Sequence, residues 1–213
     1  SQTHWLVEGY SNVRLVHGTA APETDTANDT VIYVTFDEAN SYDTYATPEI
    51  TTTATPGLTD YAGNNPDQVT GGSVTEADKA APVIVSASGL AGSTRLAVLF
   101  SEPVDSDGGS CDSAIVAGDL NYTDSSSDGS SSVTAVSDDN NGCDDSRVLL
   151  TLNSSLTATD LYVDKIAAID NEIYDSANNI VAASDVIITG AVQPYLLSAT
   201  AISSTKIRVQ FSE

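Results

Sequence analysis

The sequence predicts an all-β fold for this chain of 213 residues. Ser, Thr, Asp, Ala and Val dominate, Met is absent and Lys is scarce, a composition that favours strands and turns over long helices. Short segments alternate apolar and polar residues, as strands with one buried face do. Related segments recur at separations of 111 to 116 residues. This spacing is typical of a seven-stranded β-sandwich and is much longer than helical repeats.

One strand pattern occurs twice in nearly the same letters. The segment Leu96–Glu102 reads LAVLFSE, and the segment Ile207–Glu213 reads IRVQFSE, 111 residues later. In the later copy, Ile207, Val209 and Phe211 alternate with polar residues. Both copies are therefore predicted to be strands with one apolar face.

Other segments repeat at similar separations. The matched pairs are Pro82–Ala87 with Pro194–Ala199, residues 31–36 (VIYVTF) with 147–152 (RVLLTL), and the turn DYAGNN from Asp60 with DSANNI from Asp175. The first pair opens each copy with a proline-led strand, and the last pair places a turn at the same point of each copy. The repeat therefore covers most of the chain.

The repeated segments assemble into predicted immunoglobulin-like β-sandwiches, one complete and one split between the two ends of the chain. Residues 80–190 carry all seven predicted strands: A at Pro82–Ala87, B at Arg95–Phe100, C near Leu120–Thr123, D near Val133–Val136, E at Arg147–Leu152, F near Tyr162–Ala168 and G near Ile180–Ile188. Residues 1–79 give a partial domain with strands C to G, in which C begins near His4, D near Asn12 and E at Val31. Residues 191–213 give only the strands A and B of a further repeat.

Neither partial domain is expected to be stable alone, because unpaired strand edges and half a core would be exposed. Three explanations stay open. The chain is a window of a longer tandem array, or the first domain has a different topology. In the third explanation, the A and B strands of one molecule complete the C to G strands of the next. That exchange would polymerise the protein head-to-tail through the strands that contain Ile207, Val209 and Phe211.

The motifs of the complete unit resemble a known family. LFSEPVD at Leu99–Asp105, RVLLTLNSSLTATD at Arg147–Asp160 and IYDSANNIV at Ile173–Val181 are similar to the bacterial Ig-like tandem repeats of S-layer proteins and large calcium-dependent surface adhesins. DYAGN at Asp60–Asn64 fits their turn motif, whereas Asn178 replaces its glycine in the second copy; asparagine also tolerates the left-handed conformation. The resemblance covers about residues 30–213. It implies an extracellular module, secreted or on the cell surface, that acts mostly as a spacer or in assembly.

Acidic residues are predicted to meet at the junction of the first two domains. In this strand order the B–C and F–G loops share one end of the sandwich, so Glu102 and Asp175 are expected neighbours. The linker brings Asp78 beside them, and Asp105 can add a further ligand. Such a group of carboxylates suits Ca²⁺, which takes six to eight oxygen ligands. The alternative is that Glu102 and Asp175 only cap turns by accepting backbone N–H groups.

The two cysteines, Cys111 and Cys143, flank a stretch rich in Ser, Asp and Gly. We predict a disulfide between them, because exposed free thiols in so polar a segment are unusual in secreted proteins. It would close a loop of about 33 residues and contribute roughly 3 to 4 kcal/mol. The alternative is two unpaired thiols.

Charge, hydropathy and the histidines each exclude one class of function. The net charge of the chain is −23. Seven basic and thirty acidic residues repel phosphates, so we expect no nucleic-acid partner. No apolar run approaches the roughly 20 residues that span a bilayer, so we expect no membrane insertion. The only histidines, His4 and His17, lack local patterns for nucleophilic catalysis or zinc, so we expect no enzyme.

The sequence therefore favours a structural subunit of an extracellular filament, surface layer or long adhesin. Its partners would be copies of itself, joined head-to-tail, with Ca²⁺ stiffening the junctions. The alternative is a binding module of a secreted adhesin or enzyme, whose partner would be a glycan or a host receptor.

Overall fold

The computed structural model of the protein describes residues 5–15, 32–37, 44–53, 60, 62–65, 67–71, 77–106, 113–127, 129, 131–137, 146–191 and 196–211. The chain divides into two compact units, Ser1–Ala80 and Ala81–Glu213. Regular structure in these stretches is almost entirely β-strand, with one short 3-10 helix at Ala117–Asp119. The prediction of an all-β fold is confirmed. Across the described stretches, no helix is long and apolar enough to cross a membrane.

The first unit contains two antiparallel strand pairs among its described residues. Its strands are β1 (Trp5–Val7), β2 (Ser11–Leu15), β3 (Val34–Asp37) and β4 (Ile50–Thr52). β1 pairs with β4, and β2 pairs with β3. Val7 and Val13 are buried, and the ring centroids of Tyr10 and Phe36 lie 4.5 Å apart. β1, β2 and β3 fall where the sequence predicts the strands C, D and E of a partial domain.

The second unit contains one seven-stranded sheet and two separate strand pairs. Its strands are β5 (Ile84–Gly89), β6 (Arg95–Phe100), β7 (Val104–Asp105), β8 (Leu120–Thr123), β9 (Val133–Ser137), β10 (Arg147–Leu152), β11 (Lys165–Ala168), β12 (Tyr174–Asp175), β13 (Val186–Gly190), β14 (Leu196–Ser203) and β15 (Lys206–Phe211). The sheet order is β8-β11-β13-β5-β6-β10-β9. β13 and β5 run parallel, and the other neighbours are antiparallel. The remaining pairs are β7 with β12 and β14 with β15.

The core of the second unit follows from the alternation in its strands. In β6, Leu96, Val98 and Phe100 are buried, whereas Arg95 and Leu99 are exposed. β10 has the same period of two, and it lies beside β6 in the sheet. Because residues two apart point to the same side of a sheet, the two strands contribute six apolar side chains to one core.

Three predicted strands of the second unit, B, C and E, have the bounds of β6, β8 and β10. Strand F begins later than predicted, at Lys165. The cause is a turn in which Tyr162 has a φ of 71°, a left-handed conformation that a strand does not accommodate. Strand G begins at Val186 rather than near Ile180, which forms only an isolated bridge with Tyr174.

The turns at Asp60 and Asp175 have the same geometry. The first oxygen of the Asp60 carboxylate accepts a hydrogen bond from the Asn64 backbone N–H, and the second accepts one from the Asn64 side-chain amide, at 2.7 and 2.8 Å. The bonds from Asn179 to Asp175 are both 2.7 Å. The residues three after each aspartate, Gly63 and Asn178, have φ values of 83° and 67°. The left-handed role expected for Asn178 is therefore present. In the first turn, the Asn64 hydrogen bonds hold the pKa of Asp60 below its ordinary value of 3.8.

Candidate functional site

The carboxylates of Glu102 and Asp175 come together where β7 pairs with β12 in the second unit. Asp105 ends β7 and Asp175 ends β12, and the antiparallel register places Asp175 opposite Val104. Glu102 lies two residues before β7. A carboxylate oxygen of Glu102 lies within 4.8 Å of one of Asp175. The strand pairing therefore brings two loops that are distant in sequence to one place.

These carboxylates are shielded from water. Glu102 is 2% exposed, and Asp105 and Asp175 are 0% exposed. A buried carboxylate is costly unless hydrogen bonds, an opposite charge or a metal compensates for the lost water. Oxygen ligands of this kind suit a hard cation such as Ca²⁺ better than they suit zinc or copper.

Asp175 also has the turn-capping role that the sequence offered as the alternative. Its first carboxylate oxygen accepts hydrogen bonds from the backbone N–H groups of Ala177 and Asn179, at 2.9 and 2.7 Å. Its second oxygen accepts the Asn179 side-chain amide. A carboxylate has about four acceptor positions. Capping and cation binding by Asp175 are therefore compatible.

Asp78 and the two cysteines are the remaining residues that the sequence predicts to bind a metal or to form a disulfide. Asp78 belongs to the first unit, where its carboxylate accepts a hydrogen bond of 3.0 Å from the Ala80 backbone N–H. Its position beside Glu102 stays a prediction. Cys111 and Cys143 lie outside the described residues, so the disulfide also stays a prediction.

A second buried acidic group was not predicted from the sequence. Asp164 is 1% exposed and accepts a hydrogen bond of 2.6 Å from the Tyr122 hydroxyl. It also accepts the backbone N–H groups of Ser125 and Ser126. Burial, together with the hydrogen bond to Asp164, raises the pKa of Tyr122 well above its ordinary value. With three donors in place, Asp164 fixes the loop that follows β8, which is a structural role. The sequence signal for this buried group is Asp164 itself, an acidic residue within the apolar segment LYVDKIAA.

A second candidate site is a hairpin formed by β14 and β15, here called the uncovered hairpin (196–211). It repeats the hairpin of β5 and β6, here called the covered hairpin (84–100). In the covered hairpin Ile84 pairs with Phe100, and in the uncovered hairpin Leu196 pairs with Phe211. The next four pairs also correspond, with the same offsets of 112 and 111 residues. Each hairpin has a register shift directly after its first pair.

The two hairpins differ in what lies against them. The covered hairpin has β13 on one edge and β10 on the other, and Leu96 and Val98 are 0% exposed. In the part of the chain that the structure describes, β14 and β15 pair only with each other. The positions equivalent to Leu96 and Val98 are Ile207 and Val209, which are 67% and 49% exposed. Phe211 ends β15, and its side chain lies outside the described residues.

Solved structures similar to this chain are structures of the bacterial S-layer protein SbsC. The structure of rSbsC(31-844) has 19% sequence identity and a TM-score of 0.39, and the match covers 56% of this chain and 15% of that chain. The N-terminal part of SbsC has 16% identity and a TM-score of 0.40, with 61% and 31% covered. SbsC domains 1-6 have 16% identity and a TM-score of 0.41, with 62% and 18% covered. This chain therefore spans less than a third of the length of each.

No family model matches this sequence, and no curated protein matches it.

Proposed function

We propose that the protein is a non-enzymatic structural subunit of an extracellular filament, surface layer or long adhesin. In this proposal its Ig-like β-sandwich repeats join head-to-tail through the uncovered hairpin. One observation carries the proposal. The chain presents, with its apolar face exposed, a hairpin whose repeat copy lies in the middle of a seven-stranded sheet.

The strand order supports an Ig-like sandwich for the second unit. In the letters used for the predicted strands, the order β8-β11-β13-β5-β6-β10-β9 reads C-F-G-A-B-E-D. This order contains the two groups expected of such a domain, C-F-G and B-E-D, with strand A between them. The parallel pairing of β13 with β5 links the two groups.

The exposed surface of the uncovered hairpin supports assembly. Full burial of an aliphatic side chain such as Ile207 or Val209 contributes about 1.5 to 3 kcal/mol relative to exposure. The two free edges of a two-stranded hairpin also offer unpaired N–H and C=O groups to another strand. A partner that covers both features would therefore form a stable joint by strand addition.

An extracellular location is supported by the motifs of the complete repeat and by the charge. The −23 net charge suits a soluble module in a salty medium and does not suit binding to nucleic acid. The same charge favours cations. We include in the proposal a Ca²⁺ ion held by Glu102, Asp105 and Asp175 of the second unit together with Asp78 of the first. Such an ion would offset the charge of the buried carboxylates and limit bending at the junction.

Calcium is expected to raise the melting temperature of the second unit. At a free Ca²⁺ concentration 100 times the dissociation constant, linkage gives about 2.7 kcal/mol of added stability. The Glu102→Gln variant should lose most of this effect, because the ligand charge is removed while the side-chain shape is kept. Thermal unfolding in Ca²⁺ and in chelator measures it.

Asp119→Asn is the matched control for the calcium measurement, since Asp119 is a buried acid of the same unit that lies outside the proposed site. This variant should retain the calcium effect. Identical melting curves of the unaltered protein in Ca²⁺ and in chelator would reject the ion and would leave the assembly proposal standing.

Assembly is expected to make hydrogen exchange in the uncovered hairpin depend on protein concentration. A two-stranded hairpin alone is marginally stable in water, so its amides should exchange fast in dilute solution. At high concentration, pairing with another molecule should slow them, while β5 and β6 exchange slowly throughout. Mass spectrometry of peptides from residues 196–211 measures this. Fast exchange at every concentration would contradict assembly through this hairpin.

A further inference from the structure

The first unit contains a strand that repeats β10 of the second unit. β3 pairs with β2 as β10 pairs with β9: Val34 lies opposite Leu15, and Thr35 opposite Arg14. The equivalent pairs in the second unit are Leu150 with Val136 and Thr151 with Ala135. In both units the register becomes irregular directly after the second of these pairs. β3 and its neighbour β2 therefore correspond to β10 and its neighbour β9.

The second edge distinguishes the two strands. β10 uses its other edge to pair with β6, which places Thr151 opposite Arg95 and Leu150 opposite Leu96. In the described part of the first unit, β3 pairs with β2 alone. The strand that repeats β6 is β15, and it lies in the uncovered hairpin. One chain thus holds both halves of a pairing that its second unit already makes internally.

From this correspondence we infer that β15 of one molecule pairs antiparallel with β3 of a second copy of the same chain. The inferred register places Lys206 opposite Thr35, Ile207 opposite Val34 and Arg208 opposite Tyr33. This inference rests on the proposed head-to-tail assembly. It adds the partner strand and the residue pairs of the joint.

The side chains at the inferred joint keep the chemistry of the internal pairing. In the second unit the Arg95 guanidinium donates a hydrogen bond of 3.4 Å to the Thr151 hydroxyl. At the joint, the cation is Lys206 and the hydroxyl is that of Thr35. Both side chains are exposed, so both are available to a partner.

Charge also favours this partner. Residues 1–80 contain twelve Asp and Glu against two Lys and Arg. Residues 191–213 contain two basic residues, Lys206 and Arg208, against one acid, Glu213. Opposite charge on two surfaces speeds their encounter and disfavours like-charged partners. The uncovered hairpin thus carries two basic and no acidic residues in a very acidic chain, and the first unit is strongly acidic.

The test is a disulfide between two singly substituted chains. The backbone bonds from Leu152 to Thr94 and from Phe100 to Ser146 make Arg95 and Thr151 a non-hydrogen-bonded pair. Cα atoms of such pairs lie about 4.5 Å apart, within the range that a disulfide spans. Thr35 and Lys206 occupy the equivalent positions. Mixing the Thr35→Cys chain with the Lys206→Cys chain and oxidising gently should give a covalent dimer.

The matched control is a mixture of Thr35→Cys with Arg208→Cys. Position 208 lies on the same face, two residues along the strand, where the diagonal Cα distance of about 7 to 8 Å exceeds the reach of a disulfide. Each single variant alone gives the background from Cys111 and Cys143. Mass spectrometry should identify a peptide that links positions 35 and 206, enriched well above both backgrounds.

Two outcomes would overturn the inferred register and leave assembly intact. One is a stronger link in the 35/208 mixture, which would indicate a strand shifted by two residues. The other is no covalent dimer above background in solutions that sedimentation shows to contain polymers. If the Thr35→Cys chain, the Lys206→Cys chain and the unaltered chain all remain monomeric in sedimentation at every concentration, the inference and the proposed assembly both fail.

Discussion

Leu96→Ala is expected to lower the free energy of unfolding of the second unit by about 2.7 to 5 kcal/mol. Leu96 is 0% exposed in a core shared by β6 and β10, so the shortened side chain leaves a cavity. The equivalent substitution in the repeat, Ile207→Ala, should change the monomer by no more than about 0.5 kcal/mol, because that side chain is 67% exposed. Urea unfolding of dilute protein, followed by circular dichroism, measures both.

The two substitutions compare equivalent positions of the repeat, one buried and one exposed. A loss of several kcal/mol for Ile207→Ala in the monomer would show that the uncovered hairpin is already packed within its own chain. Repeating the measurement on assembled protein reverses the expectation for that variant. There, Ile207→Ala should weaken the joint, because the joint would bury the side chain in the way that the second unit buries Leu96.

Local patterns predicted the strands whose side chains alternate and the turns whose chemistry is local. β6, β8 and β10 have their predicted bounds, because period-two alternation and flanking turn residues define each of them. The turn at Asp175 was predicted because aspartate favours turns and because Asn178 occupies the position that requires a left-handed conformation. These features depend on few residues, so the sequence shows them directly.

The features that sequence reasoning missed depend on distant contacts. Strand F begins late because the chain turns at Tyr162. In that turn the Tyr162 backbone N–H donates a hydrogen bond of 2.7 Å to the carbonyl oxygen of Ile188, which is distant in sequence. The short strands β7 and β12 form by pairing with each other, with Tyr174 opposite Asp105 and Asp175 opposite Val104, residues far apart in sequence. The interior role of Asp164 depends on Tyr122 and a serine loop 38 residues away. Spacing alone does not indicate such partners.

The candidate carboxylate site also has one part that the sequence predicts and one part that it does not. The strand order implies that the loops holding Glu102 and Asp175 share one end of the domain, and their oxygens do lie within 4.8 Å. The number of backbone carbonyl ligands depends on loop conformation, which single-sequence patterns do not specify. The calcium measurement is therefore the test of this site.

The second large effect concerns assembly. Substituting both Ile207→Asp and Val209→Asp is expected to abolish head-to-tail polymers. Each change places a carboxylate on the face that the joint would bury, and burying an unpaired ion costs several kcal/mol. Since every 1.4 kcal/mol is tenfold in affinity, two such changes should weaken the joint by several orders of magnitude. The second unit should keep its fold, because both positions are exposed in the monomer.

A matched control keeps this result specific. Ile187 in β13 is 48% exposed, close to the 49% of Val209, and it lies outside the uncovered hairpin. The Ile187→Asp variant adds the same kind of charge to the same unit, so it should assemble like the unaltered protein.

Sedimentation velocity of the 213-residue protein and of these variants over a range of concentrations tests the central claim most directly. The unaltered chain and Ile187→Asp should form a series of species that grows with concentration, whereas the Ile207→Asp/Val209→Asp chain should sediment as a monomer throughout. Polymers of the doubly substituted chain at the same concentrations as the unaltered one would contradict assembly through the uncovered hairpin.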